Sequence, residues 1–171
     1  MIISRINMDI TRVFIHGLES TSQGAKGQFF RKHFPEMIIE DFAGNFTERM
    51  RKLSGLLTGK NHLMLVGSSY GGLMAAQFAV QNESRVQKMI LLAPALDLPE
   101  FSAGVQQQLN LPVIIYHGAD DNIVNPYAVK NIAGKVFRQL EYHLVDDDHS
   151  LHKTFSSLAW TEILETEQFN K

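Results

Sequence analysis

Gly67-Ser68-Ser69-Tyr70-Gly71 follows the apolar run His62-Leu63-Met64-Leu65-Val66 and leads into Gly72-Leu73-Met74-Ala75-Ala76-Gln77-Phe78-Ala79. A short apolar run closed by glycine reads as a buried strand, and the longer small-residue segment after it reads as a helix. The pattern G-x-S-x-G between the two places a serine on a sharp turn, its hydroxyl clear of the backbone. Strand and helix approach so closely there that the residues two before and two after the serine have little room for side chains. Gly67 and Gly71 meet that need, and Gly72, Ala75 and Ala76 carry the small face into the helix. The expectation is a nucleophilic Ser69. A phosphate loop is excluded because no lysine follows these glycines, and Gly59-Lys60 lacks the rest of that motif.

Outward from this corner, short apolar runs alternate with helix-patterned segments, which argues for a parallel sheet covered on both faces. Strands are expected at Arg12–Ile15, Met37–Glu40, His62–Gly67, Gln87–Leu92, Pro112–Tyr116 and Leu140–Val145. Helices are expected around Gly24–His33, Thr47–Leu57, Gly71–Gln81, Pro126–Phe137 and Ser150–Thr166. Asn125 followed by Pro126 is a helix start signal, an N-cap before a proline at the first helical position. Polar or glycine-rich corners end several strands, at His16-Gly17, Gly67-Ser68-Ser69, His117-Gly118 and Asp146-Asp147-Asp148-His149. In open parallel sheets the ligand crevice lies beyond the carboxyl ends of the strands, so these corners are expected to meet at one edge.

At 171 residues the chain has a single-domain length, able to bury roughly 70% of its unfolded surface. A formal net charge of −2 gives no electrostatic argument for nucleic acid or an anionic membrane. No apolar stretch approaches the ~20 residues of a membrane span. Arg5 and Asp9 interrupt the apolar residues of the N-terminus, which reads as no signal peptide. Without cysteine there is no disulfide, thiolate metal site or cysteine nucleophile, and a cytoplasmic protein is the default expectation.

A serine hydroxyl needs a base to take its proton, and the base needs an acid to fix its tautomer. In a strand-ordered arrangement these partners follow as Ser, then Asp or Glu, then His. Asp120 and Asp121 follow the strand Pro112–Tyr116, and His149 follows the strand Leu140–Val145 at the start of the last expected helix. His143 reads as a packed or edge histidine and His152 as a surface one. Asp97 is the rival acid, although a helix cap or loop residue needs no such role. Asp146-Asp147-Asp148 reads as a solvated run rather than a cation site. One oxyanion donor is expected from the N–H of Tyr70, the residue after the nucleophile.

These residues together resemble the α/β-hydrolase family of esterases, thioesterases, lipases and peptidases, from about Thr11 to the C-terminal helix. The resemblance rests on His16-Gly17, Gly67-Ser68-Ser69-Tyr70-Gly71-Gly72, His117-Gly118-Ala119-Asp120-Asp121-Asn122-Ile123-Val124 and Asp148-His149-Ser150. The family's corner H-G-x-x-D-x-x-V-P maps its acid onto Asp121 and leaves Asp120 in a variable place. Here Asn125 displaces the proline by one position, so the neighbouring aspartates both stay in play. The resemblance also puts the second oxyanion donor in His16-Gly17-Leu18-Glu19-Ser20, at the Leu18 N–H.

What the resemblance implies is a minimal α/β-hydrolase fold of about six mostly parallel strands with helices on both faces. The family's usual form carries two further strands at the front, whereas little precedes the first His-Gly strand here, and the lid position is only Ala95 to Leu111. The start His16-Gly17-Leu18-Glu19-Ser20-Thr21-Ser22 makes the chain similar to small bacterial esterases of the YqiA-like type. The implied function is hydrolysis of a small-molecule carboxylic ester or thioester by Ser69, Asp121 and His149 in one domain over 1–171. No metal or organic cofactor, nucleic acid or membrane partner is implied. Leu96, Leu98, Phe101 and Val124, with Leu18, Tyr70 and Ile123, either line an acyl pocket or cover the core. A peptidase, an acyltransferase and a non-catalytic binding module share the same expectations.

Overall fold

Alternate side chains of a strand face opposite sides of a sheet, and in this protein both sides are apolar. A computed structural model describes residues 10–101 and 108–165. Within them β1 (Thr11–Ile15), β2 (Ile38–Ile39), β3 (Leu63–Ser68), β4 (Val86–Leu92), β5 (Leu109–Gly118) and β6 (Phe137–Val145) form one sheet. The strand order is β2-β1-β3-β4-β5-β6, and every pairing is parallel rather than mostly so. Register aligns Val13, Leu65, Met89, Val113 and Leu140 across five strands on one face. Phe14, Val66, Ile90 and Ile114 make the matching row on the other.

Helices α2 (Phe46–Leu56), α3 (Tyr70–Asn82) and α4 (Pro126–Val136) bury the first row with Leu53, Leu73, Phe78, Val129 and Ala133. Helices α1 (Ala25–His33), α5 (His152–Ser157) and α6 (Trp160–Ile163) cover the second with Phe30, Phe155 and Trp160. Helix α3 is buried along most of its length, from Tyr70 to Ala79, which is why its sequence carries alanine and glycine instead of an amphipathic stripe. Its neighbours start on side-chain caps. The Asn45 side chain accepts the Glu48 N–H in a reciprocal capping box, and the Asn125 side chain accepts the Tyr127 and Ala128 N–H groups. Strand β1 has β2 on one side and β3 on the other, so successive crossovers diverge there and open a crevice at the carboxyl ends.

The expected Ser150–Thr166 helix is instead two short ones. Leu151 takes the left-handed conformation (φ 54°, ψ 43°), so α5 starts only at His152. Extended Leu158 (φ −70°, ψ 139°) then breaks the chain before α6. Burial explains both departures: Leu151 is fully buried, and Trp160 reaches the aromatic cluster only through that bend. Its ring lies 4.8 Å from Phe30 and 5.1 Å from Phe155, and its indole N–H donates to the Phe155 carbonyl at 2.9 Å. Of the expected lid segment, positions 102–107 lie outside the described residues, as do 1–9 and 166–171. Among the described residues no helix is long and apolar enough to cross a membrane.

Phe30 is the centre of that cluster, fully buried and also 5.0 Å from the Phe14 ring and 5.5 Å from Phe155. Urea denaturation should show Phe30→Ala to be less stable by about 3–5 kcal/mol, the range for an aromatic deleted from a packed core.

Candidate active site

Ser69 joins β3 to α3 in a conformation L-residues rarely adopt, φ 54° and ψ −115°. Sterics on both sides explain how the chain holds it. A Cβ on Gly67 would meet the Gly71 carbonyl oxygen at 2.5 Å, and one on Gly71 would meet the Ile15 carbonyl oxygen at 2.0 Å. Backbone therefore packs on backbone, as glycine alone allows. Hydrogen bonds hold the turn: the Ser69 N–H donates to the Leu92 carbonyl at 2.8 Å, and the Ser69 carbonyl accepts the Gly72 and Ala95 N–H groups.

The corner after β1 folds back onto this serine. A Cβ on Gly17 would lie 3.3 Å from the Ser69 Cβ. Buried His16 sets the corner: the Phe42 N–H donates to its Nε2 at 2.9 Å, which leaves the ring proton on Nδ1, donating to the Gly17 carbonyl at 2.7 Å. The C=O and N–H of a trans peptide point in opposite directions, so this bond turns the Leu18 N–H away from the His16 ring. Tyr70 opens α3, where no helical carbonyl can accept its N–H. The Tyr70 side chain packs on Phe46 and against Arg49 of α2, and burial with the nearby Glu100 carboxylate pushes its phenol above the ordinary value. The backbone of Tyr70 therefore stays at the serine while the phenol belongs to the interior.

Asp121 sits in the corner after β5 with its carboxylate fully enclosed. Oδ1 accepts the N–H groups of Ile123 at 2.9 Å and Val124 at 2.8 Å. Oδ2 bonds His149 Nδ1 at 2.7 Å and His117 Nε2 at 2.9 Å. Burial pushes the carboxyl up, but the donors from Val124, His149 and Ile123 outweigh it and hold the group below the ordinary 3.8. His149 completes the chain of contacts, with Nε2 2.9 Å from Ser69 Oγ. Asp120, by contrast, is exposed, and its N–H donates to the Asp147 carbonyl.

The β6 exit loop that carries His149 is fixed from several directions. A Cβ on Gly118 would meet the carbonyl oxygens of Asp147 and Asp148 at 2.4 Å each, so the β5 and β6 corners touch backbone to backbone. Lys26 of α1 donates to the Ser150 carbonyl at 2.6 Å, its ammonium lowered by burial against the opposing pull of Asp148 and Asp147. The Asp146-Asp147-Asp148 run is not a solvated stretch throughout. Asp147 is buried, and its Oδ2 accepts the Lys153 and Thr154 N–H groups at 3.0 and 2.7 Å, capping α5. The signal for this role was available, an aspartate shortly before a helix, but the left-handed Leu151 displaced the helix start beyond the usual spacing. Asp148 pairs with exposed His152, and His143 stacks on Tyr116 at 4.7 Å. Asp97 is exposed on the β4–β5 connection. Among the described residues no group of three or more His, Asp or Glu is placed to hold a metal ion.

The residues expected to line a substrate pocket divide by burial. Leu96, Phe101 and Val124 belong to the core cluster, at 2%, 6% and 5% exposure. Leu98 stays open, at 36%, together with Leu18 at 50% and Ile123 at 70%. Each open residue lies within a few positions of a site residue: Leu18 next to Gly17, Leu98 just past Ala95, and Ile123 two after Asp121.

A hydroxyl bonded to an imidazole that is itself bonded to a buried carboxylate can pass a proton from oxygen to nitrogen while the carboxylate stabilises the cation. Known proteins resemble the chain in fold and family. The alpha/beta hydrolase family model matches residues 46–157, and the chain belongs to that family. Among curated proteins no relative matches. Among solved structures, mouse alpha/beta hydrolase domain-containing protein 10 is 20% identical with a TM-score of 0.69 over 82% of each chain. Est1E from Butyrivibrio proteoclasticus with ferulic acid bound is 13% identical, TM-score 0.69, over 82% of this chain and 81% of that one. An alpha-beta serine hydrolase homologue from Coxiella burnetii is 18% identical, TM-score 0.65, over 86% and 80%.

Asp147 gives a pH-dependent test of the loop. Burial pushes its carboxyl up, but N–H bonds from Thr154, Asp148 and Lys153 prevail, leaving it below the ordinary 3.8. A depressed carboxyl stabilises the fold above its unfolded value and loses that effect as pH falls through the folded one. Asp147→Ala should cost about 0.5–2 kcal/mol at neutral pH, as for a lost helix cap. The gap from wild type in urea midpoints should then narrow as the pH drops below the ordinary 3.8.

Proposed function

We propose that this protein is a serine hydrolase that cleaves a carboxylic ester or thioester through an acyl-enzyme on Ser69. The observation that carries the proposal is the unbroken hydrogen-bond chain of Ser69 Oγ to His149 Nε2 at 2.9 Å and His149 Nδ1 to Asp121 Oδ2 at 2.7 Å. His149 Nε2 takes the hydroxyl proton as Oγ attacks the carbonyl carbon, and the C=O π pair moves onto oxygen. The Tyr70 and Leu18 N–H groups receive that oxyanion; one well-aimed donor of this kind is worth about 3 kcal/mol in the transition state. His149 then returns its proton to the leaving alkoxide or thiolate as the C–O or C–S bond breaks. Water attacks the acyl-enzyme with His149 again as base, releasing the acid and restoring Ser69. No step calls for a cofactor.

The rim supports an apolar acyl group. Leu18, Leu98 and Ile123 expose aliphatic surface beside the oxyanion corner, the elbow and the acid loop, where the acyl chain of an ester on Ser69 Oγ would lie. The solved neighbour with ferulic acid bound carries a carboxylic acid on the same fold.

Reaction with a fluorophosphonate followed by peptide mass mapping should place the adduct on Ser69; folded protein without an adduct there rules the proposal out. Ser69→Ala should lower turnover of a simple ester by at least about 10³-fold. Asp121→Asn should lower it by about 10⁴-fold, the loss known for the wrong imidazole tautomer, while Asp120→Asn leaves it intact. An ester, thioester and aminopeptide panel with a second acyl acceptor separates hydrolase from peptidase and acyltransferase.

For the rim, Ile123→Asp should raise KM for a medium-chain acyl ester over that for acetyl by roughly tenfold, about 0.8 kcal/mol being lost per uncovered methylene. An unchanged chain-length profile means the acyl group does not lie along this rim.

A further inference from the structure

His117 makes a contact that the proton path through Ser69, His149 and Asp121 does not use. Its side chain is fully buried, with Nε2 2.9 Å from Asp121 Oδ2 and 3.2 Å from the Val124 carbonyl oxygen. Both neighbours only accept, so the ring proton lies on Nε2. Nδ1 is then bare and has no protein partner. Burial lowers the proton affinity of the ring below the ordinary 6.5 despite Asp121 beside it, which keeps the ring neutral. An unpaired buried nitrogen is a cost that a phenyl ring of the same shape would avoid. What the imidazole supplies in exchange is the Nε2–H.

We infer that His117 is a positioning residue whose Nε2–H shares Asp121 Oδ2 with His149 Nδ1–H, fixing the carboxylate in line with His149 and keeping it an anion during turnover. The inference rests on the hydrolase reading of Ser69 above. Two backbone donors already fix Oδ1, so the free rotation left to the carboxylate would swing Oδ2. His117 closes that freedom. When His149 gains the serine proton, its Nδ1–H presses on the same oxygen; the second donor disperses the charge there, so the proton stays on His149. The ionisable groups around His117 are Asp121, His149 and Tyr142, whose ring stacks at 6.3 Å and whose hydroxyl is spent on the Pro126 carbonyl. Around His149 stand Asp121, then Asp147 and Asp148 on its own loop, with Lys26 reaching in from α1.

The test pairs His117→Phe, which keeps a ring and deletes the donor, with His117→Gln, which restores an N–H at similar reach. His117→Phe should lower kcat on the order of tenfold, the loss typical when the partner behind a functional histidine is removed, with KM within about twofold. Its acid limb of kcat/KM should also move to higher pH, since a carboxylate that has lost one donor attracts the proton on its remaining partner more strongly. His117→Gln should recover most of both changes. A His117→Phe variant with the wild-type kcat and acid limb overturns the inference, as does a His117→Gln variant equally impaired. Should the His117→Phe protein not fold, ¹⁵N spectra of the wild type still decide. An Nε2-protonated His117 between about pH 6 and 8 supports the inference, and an Nδ1-protonated or doubly protonated ring overturns it. Absence of the fluorophosphonate adduct at wild-type Ser69 would sink the hydrolase reading instead, leaving the spectra to report on His117 alone.

Discussion

The close approach of the α3 N-terminus to β1 is the constraint on which the remaining architecture depends. At Gly71 there is no room for even one carbon beside the Ile15 carbonyl oxygen, and at Gly67 none beside Gly71. That contact brings the Ser69 and His16-Gly17 corners together before any side chain takes part. It also forces Ser69 to positive φ, a strain of about 1–3 kcal/mol that persists only where the surroundings over-determine it. Here the surroundings are the buried helix α3 below and the Leu92, Gly72 and Ala95 backbone hydrogen bonds around the turn. A second contact of the same kind, Gly118 against Asp147 and Asp148, joins the acid and base loops. The site is assembled by backbone packing at glycine, and its side chains inherit the geometry.

Electrostatics then decide what those side chains can do. One carboxylate, Asp121, is placed among four donors, two on each oxygen. Burial pushes its proton affinity up; the donors outweigh that and hold it below the ordinary value. Two buried histidines set the corners in opposite tautomers, His16 with its proton on Nδ1 and His117 with its proton on Nε2, each chosen by whether its neighbours donate or accept. Neither ring needs a charge for its task. On the proposed hydrolase reading this leaves the chemistry to His149, whose side chain is one-fifth exposed.

Legibility in the sequence followed the range of the interactions involved. Strand positions were readable because the central strands β1, β3 and β4 carry apolar runs buried on both faces, and the starts of α2 and α4 lay close to where the pattern put them, α4 on its own Asn125-Pro126 signal. Ser69 was readable because the glycines that frame it answer to a local steric need. Asp121 is preferred to Asp120 only through the family's corner pattern; the physical basis of the difference is the turn that sends Ile123 and Val124 N–H groups to one carboxylate and leaves its neighbour in solvent. Asp147 and the broken terminal helix were not readable, since both follow from burying Leu151 and Trp160 under α1, a contact spanning most of the chain. The same holds for Leu96 and Phe101, whose apolar character suits a pocket and a core equally well.

That last ambiguity separates reaction from substrate. The hydrogen-bonded chain from Ser69 Oγ through His149 to Asp121 is held by parts with little freedom: a glycine-framed turn, an enclosed carboxylate, a capped loop. On the proposed hydrolase reading, specificity falls to a different material, the exposed aliphatic side chains of Leu18, Leu98 and Ile123, each on a connecting loop. Loops of this kind tolerate substitution without disturbing the sheet. The hydrogen-bonded relay can therefore stay unchanged while the rim is altered residue by residue, because the two are built from different parts of the same corners.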